Sequence, residues 1–294
     1  MYIVVGANGY IGSYVVKNIL QHTDDKILAL GRTIKDNAEH GRVQCMKCDI
    51  TCEPDIDSLN CRLAKMSAIK VIYLAACHHP DEVKKNAKAA WNTNITALSQ
   101  FLNKTENIDC LFYVSTEMVY GEGNMEYKFT EKDELHPVNL YGIQKKTAEA
   151  VIVGYGYNVV RFPFVIGPSL LPNRKHFYDV IVDTVKNGIE IEMFEDVYKS
   201  ALDFDTASEL LVRLCESYTK DMPQILNVSG DEVLSKYEIA KKIIKKFHMN
   251  QNLVKPVKWE QNHGIFTEAR AGCTLLDNSL LKEVLQIPEI RMKF

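Results

Sequence analysis

Nowhere does this chain carry the roughly 20 consecutive apolar residues that a bilayer-spanning helix requires, and it opens on a strand pattern without the basic n-region of a secretory signal. It also lacks an excess of either charge: 35 Lys and Arg stand against 38 Asp and Glu, a net charge of −3 over 294 residues. No basic field is present to attract nucleic acid or an anionic membrane surface. Repeats, low-complexity tracts and long linkers are missing too, so the chain should pack as one compact body. What remains is a globular composition, 46% hydrophobic and 25% charged, enough at this length to bury roughly three quarters of the unfolded surface. A cytoplasmic protein with neither nucleic acid nor membrane as partner is expected.

Metal-binding spacing is another absence, although there are eight cysteines. Cys45, Cys48 and Cys52 are close in sequence, but Cys45 and Cys48 fall in or at the end of a predicted strand, where alternation points them to opposite faces. A zinc knuckle needs a tight turn between paired ligands. Free thiols in a reducing compartment are expected instead, and no metal.

What is present begins at the N-terminus. Tyr2-Ile3-Val4-Val5 is a short apolar run that reads as a buried parallel strand. Gly6-Ala7-Asn8-Gly9-Tyr10-Ile11-Gly12 follows, and Ile11, Val15, Val16, Ile19 and Leu20 then recur at helical spacing. The glycines therefore sit where a strand turns into a helix, allowing a tight turn and a close backbone approach. The helix N-terminus offers its unpaired N–H groups to a pyrophosphate. A second constellation lies mid-chain, where Ser115-Thr116 precedes Tyr141-Gly142-Ile143-Gln144-Lys145. Tyr141 and Lys145, one helical turn apart, share a face. An ammonium beside the phenol should lower a pKa that is about 10 in free tyrosine. Thr116 could then hold a carbonyl or alkoxide oxygen while Tyr141 moves its proton.

Strands are predicted near 2–5, 26–30, 43–48, 69–74, 109–114 and 157–162, alternating with helices, the pattern of a Rossmann-type doubly wound parallel sheet in an α/β fold. After Pro168 the alternation is irregular, with helices near 176–187, 203–218, 235–248 and 278–286 and strands near 190–194 and 225–228. A dinucleotide-binding domain over 1–168 and a smaller α+β substrate lobe over 169–294 are expected.

The end of the second strand, Leu30-Gly31-Arg32, lacks the acidic residue that would hydrogen-bond the ribose 2′-hydroxyl of NAD. The guanidinium of Arg32 suits a 2′-phosphate, so NADP(H) is preferred and NAD(H) remains open. His78-His79-Pro80-Asp81 falls just after the fourth strand, at the end of the sheet where ligands bind, and His78 is a candidate for lining the substrate pocket.

Taken in order, these motifs resemble the extended short-chain dehydrogenase/reductase superfamily. Gly6, Gly9 and Gly12 match its G-x-x-G-x-x-G. Cys48-Asp49-Ile50-Thr51, Leu74-Ala75-Ala76, Asn94, the run Val114 to Gly121, Tyr141 to Lys145, and Arg161-Phe162-Pro163-Phe164-Val165-Ile166-Gly167-Pro168 follow in the family's order. The resemblance implies Thr116, Tyr141 and Lys145 as catalytic residues. Gly6, Asn8, Gly9, Tyr10, Ile11, Gly12, Arg32, Asp49, Ile50, Ala75, Ala76, Asn94, Tyr141, Lys145 and Pro163 would face the cofactor, Asp49 toward the adenine and Lys145 toward the nicotinamide ribose. His78, Glu117 and Met118 would face a nucleotide-sugar substrate.

The family's sugar-nucleotide dehydratases carry aspartate then glutamate after the catalytic threonine; this chain has Glu117 and then Met118, and a thioether cannot move a proton. Epimerase-reductases that make GDP-fucose have a cysteine where Met118 stands. Phe194 to Ala201, Leu226 to Gly230, Ser235 to Ala240 and Ala271 to Leu281 resemble the dTDP-4-dehydrorhamnose reductase branch, with Ala271 in place of a usual proline. That branch implies NADPH-dependent reduction of a 4-keto group on a nucleotide-activated deoxysugar, and leaves a homodimer open. Two alternatives use the same fold: a 4-epimerase retaining NAD, and a regulatory subunit without catalysis.

Overall fold

The computed structural model describes residues 1–36, 38–259, 264 and 266–294. Its first half alternates as the apolar runs dictate: β1 (Tyr2–Val5), α1 (Tyr10–His22), β2 (Ile27–Gly31), β3 (Glu39–His40), β4 (Val43–Lys47), α2 (Glu53–Leu63) and β5 (Ile69–Tyr73). Next come α3 (Pro80–Lys85), α4 (Ala87–Trp91), α5 (Ala97–Lys104), β6 (Ile108–Thr116), α6 (Leu140–Gly154) and β7 (Asn158–Phe162). Every residue of β1, β2 and β7 is buried, as expected of strands covered on both faces.

The second half contains β8 (Val165–Ile166), α7 (Phe177–Lys186), β9 (Ile191–Phe194), β10 (Tyr198–Lys199), β11 (Leu202–Asp203), α8 (Phe204–Glu216) and β12 (Ile225–Asn227). After them follow β13 (Leu234–Ser235), α9 (Lys236–Lys246), β14 (Val254–Val257), β15 (Cys273–Thr274) and α10 (Ser279–Leu285). Side chains start these helices: Asp203 accepts from the Thr206 amide, and His176 with Asp179 and Ser235 with Glu238 form capping boxes.

The main sheet runs β12-β7-β6-β5-β1-β2-β4-β3 and is parallel except where β3 pairs with β4. Strand order reverses at β1, which lies between β2 and β5. The crevice at this switch point, beyond the carboxyl ends of the strands, is where such sheets bind ligands. One apolar layer packs α1, α8 and α10 on one face; the other packs α2, α5 and α6 on the opposite face.

The expected boundary at 168 is corrected by the pairing. β12 joins β7 in the main sheet through Ile225↔Val159 and Leu226↔Val160, and α8 packs along α1. The fully buried strand β7 would otherwise have a bare edge. Residues 169–294 thus supply elements to both bodies. The smaller body has its own core of α7, α9, β9 and β14, including Ile181, Met193, Ile243 and Val254. Among the described residues no helix is long and apolar enough to cross a membrane.

Candidate active site

The glycine loop after β1 is built by backbone necessity. Gly6 has φ +93°, a conformation that L side chains rarely adopt, and a Cβ on it would lie 3.1 Å from the Ala75 amide nitrogen. A Cβ on Gly12 would fall 2.2 Å from the Gly6 carbonyl oxygen, so only glycine lets α1 start this close to the strand. Gly9 is the N-cap of α1 and supplies no side-chain cap, leaving the first-turn N–H groups open to an anion. These features fit a pyrophosphate.

Around the loop, Asn8 donates from Nδ2 to Thr33 Oγ1 at 2.6 Å, tying it to the end of β2. Tyr10 donates its hydroxyl to the Lys175 carbonyl at 2.8 Å, under the Arg174 guanidinium 5.0 Å from its ring and against His176. It therefore anchors the smaller body to the loop. Ile11 packs into the apolar layer beneath.

Arg32 is exposed at the end of β2. Burial pulls the Asp49 carboxyl upward, yet hydrogen bonds from the Thr51 hydroxyl and amide and the Arg32 charge hold it below its usual value. Ile50 is buried behind it. Ala75 and Ala76 are half-buried opposite Gly6, and His78 is exposed beyond them. Asn94 is placed differently from expectation: Oδ1 accepts from the Cys77 amide at 2.7 Å, while Nδ2 donates to the Cys77 carbonyl at 3.0 Å and to Gln144 Oε1 at 2.7 Å. Both its donors serve the protein, so it straps the 74–78 loop to α6. Pro163 is buried just past β7.

Thr116 ends β6, with Oγ1 accepting from the Met118 amide at 3.3 Å and its hydroxyl proton left to donate. Asn139 caps α6, accepting from the Gly142 amide at 2.9 Å, and this puts Tyr141 in the first turn. Tyr141 is buried among Val83, Ala90, Cys77, Met118 and Leu140. Burial raises its pKa strongly, reinforced by the charge of Glu117.

Lys145 departs from the sequence expectation. Its ammonium donates to the Tyr113 hydroxyl at 2.7 Å and to the Val114 carbonyl at 2.6 Å, and lies 4.0 Å from the Tyr113 ring centroid. A buried ammonium must find acceptors, and β6 offers two directly beneath it. Burial draws its pKa down to about 7, against the pull of Glu149. Tyr141 is thus held as a neutral phenol, and the expected lowering of its pKa by Lys145 is corrected. One N–H of Lys145 remains unused.

Glu117 is also buried, with Oε1 3.3 Å from Lys199 Nζ and Oε2 without a partner. Behind the site, Arg161 on β7 binds both carboxylate oxygens of Glu149, at 2.7 Å through Nη2, and donates from Nη1 to the Tyr120 hydroxyl at 2.7 Å. Ser115 donates to the same carboxylate, and Tyr120 donates to Asn227 Oδ1 on β12 at 2.8 Å. Residues 267–273 are tied across to Asp81 and Glu122. Asp81 accepts from the Thr267 and Glu268 amides and from Arg270 Nη2, and Glu122 accepts from the Gly272 and Cys273 amides.

Sequence reasoning missed Tyr113, Lys199, Lys236, the Glu149–Arg161 pair and Asp81. A visible signal existed for two of them: Glu149 lies on the buried face of α6 with Ala148 and Ile152, and Lys199 interrupts the Val197 to Leu202 run of small and apolar residues.

Comparison with known proteins places the chain in a family. Low-salt glycan biosynthesis protein Agl12 of Haloferax volcanii is 25% identical over 289 residues, covering 92% of this chain and 86% of that protein. Bovine (Bos taurus) methionine adenosyltransferase 2 subunit beta is 26% identical over 205 residues, covering 64% of this chain and 57% of that protein. The crystal structure of dTDP-4-dehydrorhamnose reductase from Bacillus anthracis in complex with NADP has the same fold, with a TM-score of 0.79 at 20% identity and coverage of 98% and 94%. The family described as RmlD substrate binding domain matches residues 1–290, and the chain belongs to that family, within the extended short-chain dehydrogenase/reductases.

Proposed function

We propose that this protein uses NADPH to reduce a 4-keto group on a nucleotide-activated sugar, a deoxysugar in the reading the sequence favours. The observation that carries it is the state of Tyr141, a buried phenol packed against Met118, two residues past Thr116, whose proton is retained by burial and by Glu117. Carbonyl reduction needs a proton donor, and a neutral phenol is one. The Thr116 hydroxyl orients the carbonyl oxygen, and Tyr141 gives that oxygen its proton. Lys145 offers its remaining N–H to the ribose and, with Tyr113, fixes the floor under Tyr141. The glycine loop and the first turn of α1 hold the pyrophosphate. When bound, the nicotinamide supplies the hydride.

The purified chain should consume NADPH with dTDP-4-keto-6-deoxy-L-mannose or another nucleotide-linked 4-ketohexose, neutral or carboxylated. No turnover with any of them sinks the reading, and copurified NAD with no net cofactor consumption selects a 4-epimerase. Cofactor choice is tested at Arg32. Its replacement by alanine should weaken NADPH far more than NADH, since a charge-assisted pair to the 2′-phosphate contributes roughly 1.5 to 3 kcal/mol. Equal losses for both would remove Arg32 from the cofactor site.

A further inference from the structure

The ribbon β13-β10-β15 gathers charges that proton transfer by Tyr141 does not use. Lys199 on β10 lies opposite Leu234 of β13 and Thr274 of β15, and Lys236 follows directly after β13, its amide on the Val197 carbonyl at 3.2 Å. Lys199 is satisfied: it pairs with Glu117 and donates to the Ala271 carbonyl and Thr274 Oγ1 at 3.2 Å each. Arg270 pairs through Nη2 with Asp81 at 2.8 Å, but its Nη1 is buried without a partner.

Lys236 is the exception. Its ammonium lies over the Phe164 ring, close enough to Lys199, Arg270, Glu117 and His176 to interact electrostatically, and among the described residues no carboxylate pairs with it. Burial and the charges of Lys199 and Arg270 push its pKa well down. Lys199 pairs with Glu117, Arg270 with Asp81 and Lys84 with Glu268, so Lys236 is the cation of this group left without a paired carboxylate among the described residues. A desolvated ammonium among like charges is costly until an anion joins it. Glu117 Oε2, buried and unpartnered, adds an acceptor at the same place.

We propose that Lys236 and Arg270 Nη1 bind an oxyanion of the substrate, the carboxylate of a nucleotide-activated hexuronate, while Glu117 Oε2 accepts a hydroxyl of the same sugar. A single unpaired ammonium matches a monoanion, and Glu117, which shares this cluster, directly follows Thr116 in the chain. This assignment rests on the reading of the site as a nucleotide-sugar pocket and narrows its sugar from a plain deoxysugar to an acidic one. The substrate diphosphate is the other source of such an oxyanion.

The test is calorimetric and needs no turnover. With the full chain saturated with NADP, UDP-glucuronate is compared with UDP-glucose, and GDP-mannuronate with GDP-mannose. In one pair the acidic sugar should bind roughly tenfold to a hundredfold more tightly. Lys236→Met should collapse that ratio to within about threefold, and Lys236→Arg should keep most of it, with thermal unfolding reporting that both variants are folded. Equal affinities, or no binding, in both pairs overturns the proposal. So does a ratio that survives Lys236→Met, or a loss shared equally by acidic and neutral sugars, which would move Lys236 to the diphosphate. A failure to oxidise NADPH on any 4-keto sugar sinks the reductase reading but leaves this ratio measurable.

Discussion

At the scale of single residues, the site depends on which groups keep their protons. Tyr141→Phe removes one oxygen and leaves the ring among Val83, Ala90 and Met118. Turnover should fall about a hundredfold to ten-thousandfold, the usual worth of a positioned proton donor, with cofactor affinity nearly unchanged. A matching loss of NADPH binding in titration would make Tyr141 a binding residue only. Lys145 predicts a stability effect. Its folded pKa of about 7 lies below that of the unfolded chain, so above about 7 the unfolded state holds one more proton. Raising the pH through that window therefore stabilises the native chain, and the penalty is fully present below about 7. Chemical denaturation from about pH 7.5 to 9 should show the wild type gaining about 1 to 2 kcal/mol relative to Lys145→Met. A flat difference would mean that Lys145 titrates normally. The placement of Gly6 in the turn after β1, of Thr116 at the end of β6 and of Tyr141 in the first turn of α6 was legible because each is fixed by local sequence pattern. The partner of Lys145 was not, since Tyr113 becomes its neighbour only through the pairing of β6 in the sheet.

Elements carry the next level of constraint. Helix α6 can pack Tyr141 against Met118 only because Gly142 has no side chain: a Cβ there would lie 2.6 Å from the Met118 carbonyl oxygen and 2.7 Å from Pro137 Cβ. Gly142→Ala should push the first turn of α6 outward, costing about 1 to 3 kcal/mol of stability as overpacking does, and lowering kcat more than it raises KM. Unchanged kcat in steady-state assays would show that the helix absorbs the methyl without moving Tyr141. Most strands and helices were readable from periodicity, down to the short β9 and β12. What periodicity could not provide was membership. Ile225 to Asn227 reads as one more strand of a second lobe, but its partner is β7, and only the unsatisfied edge of β7 explains why.

For the whole molecule, the buried pair Arg161–Glu149 joins β7 to α6, and Tyr120 extends it to Asn227 on β12. Arg161→Met would leave a desolvated carboxylate with only the Ser115 hydroxyl, and should cost about 3 to 5 kcal/mol in equilibrium unfolding. Adding Glu149→Leu should restore much of that loss, because no charge is then left unpaired. If the double variant were as unstable as the single, packing rather than charge would be the cause. The division at 168 drawn from the sequence separates residues that this network binds together. The network also bears on how the protein matures on the ribosome. The glycine loop finds its neighbours within residues 6–75, but the outer neighbour of β7 and the partners of Asp81 and Glu122 come from residues 225–227 and 267–273, which are made later. A nascent chain can therefore form its glycine loop before the segment that ties down Asp81 and Glu122 has been made.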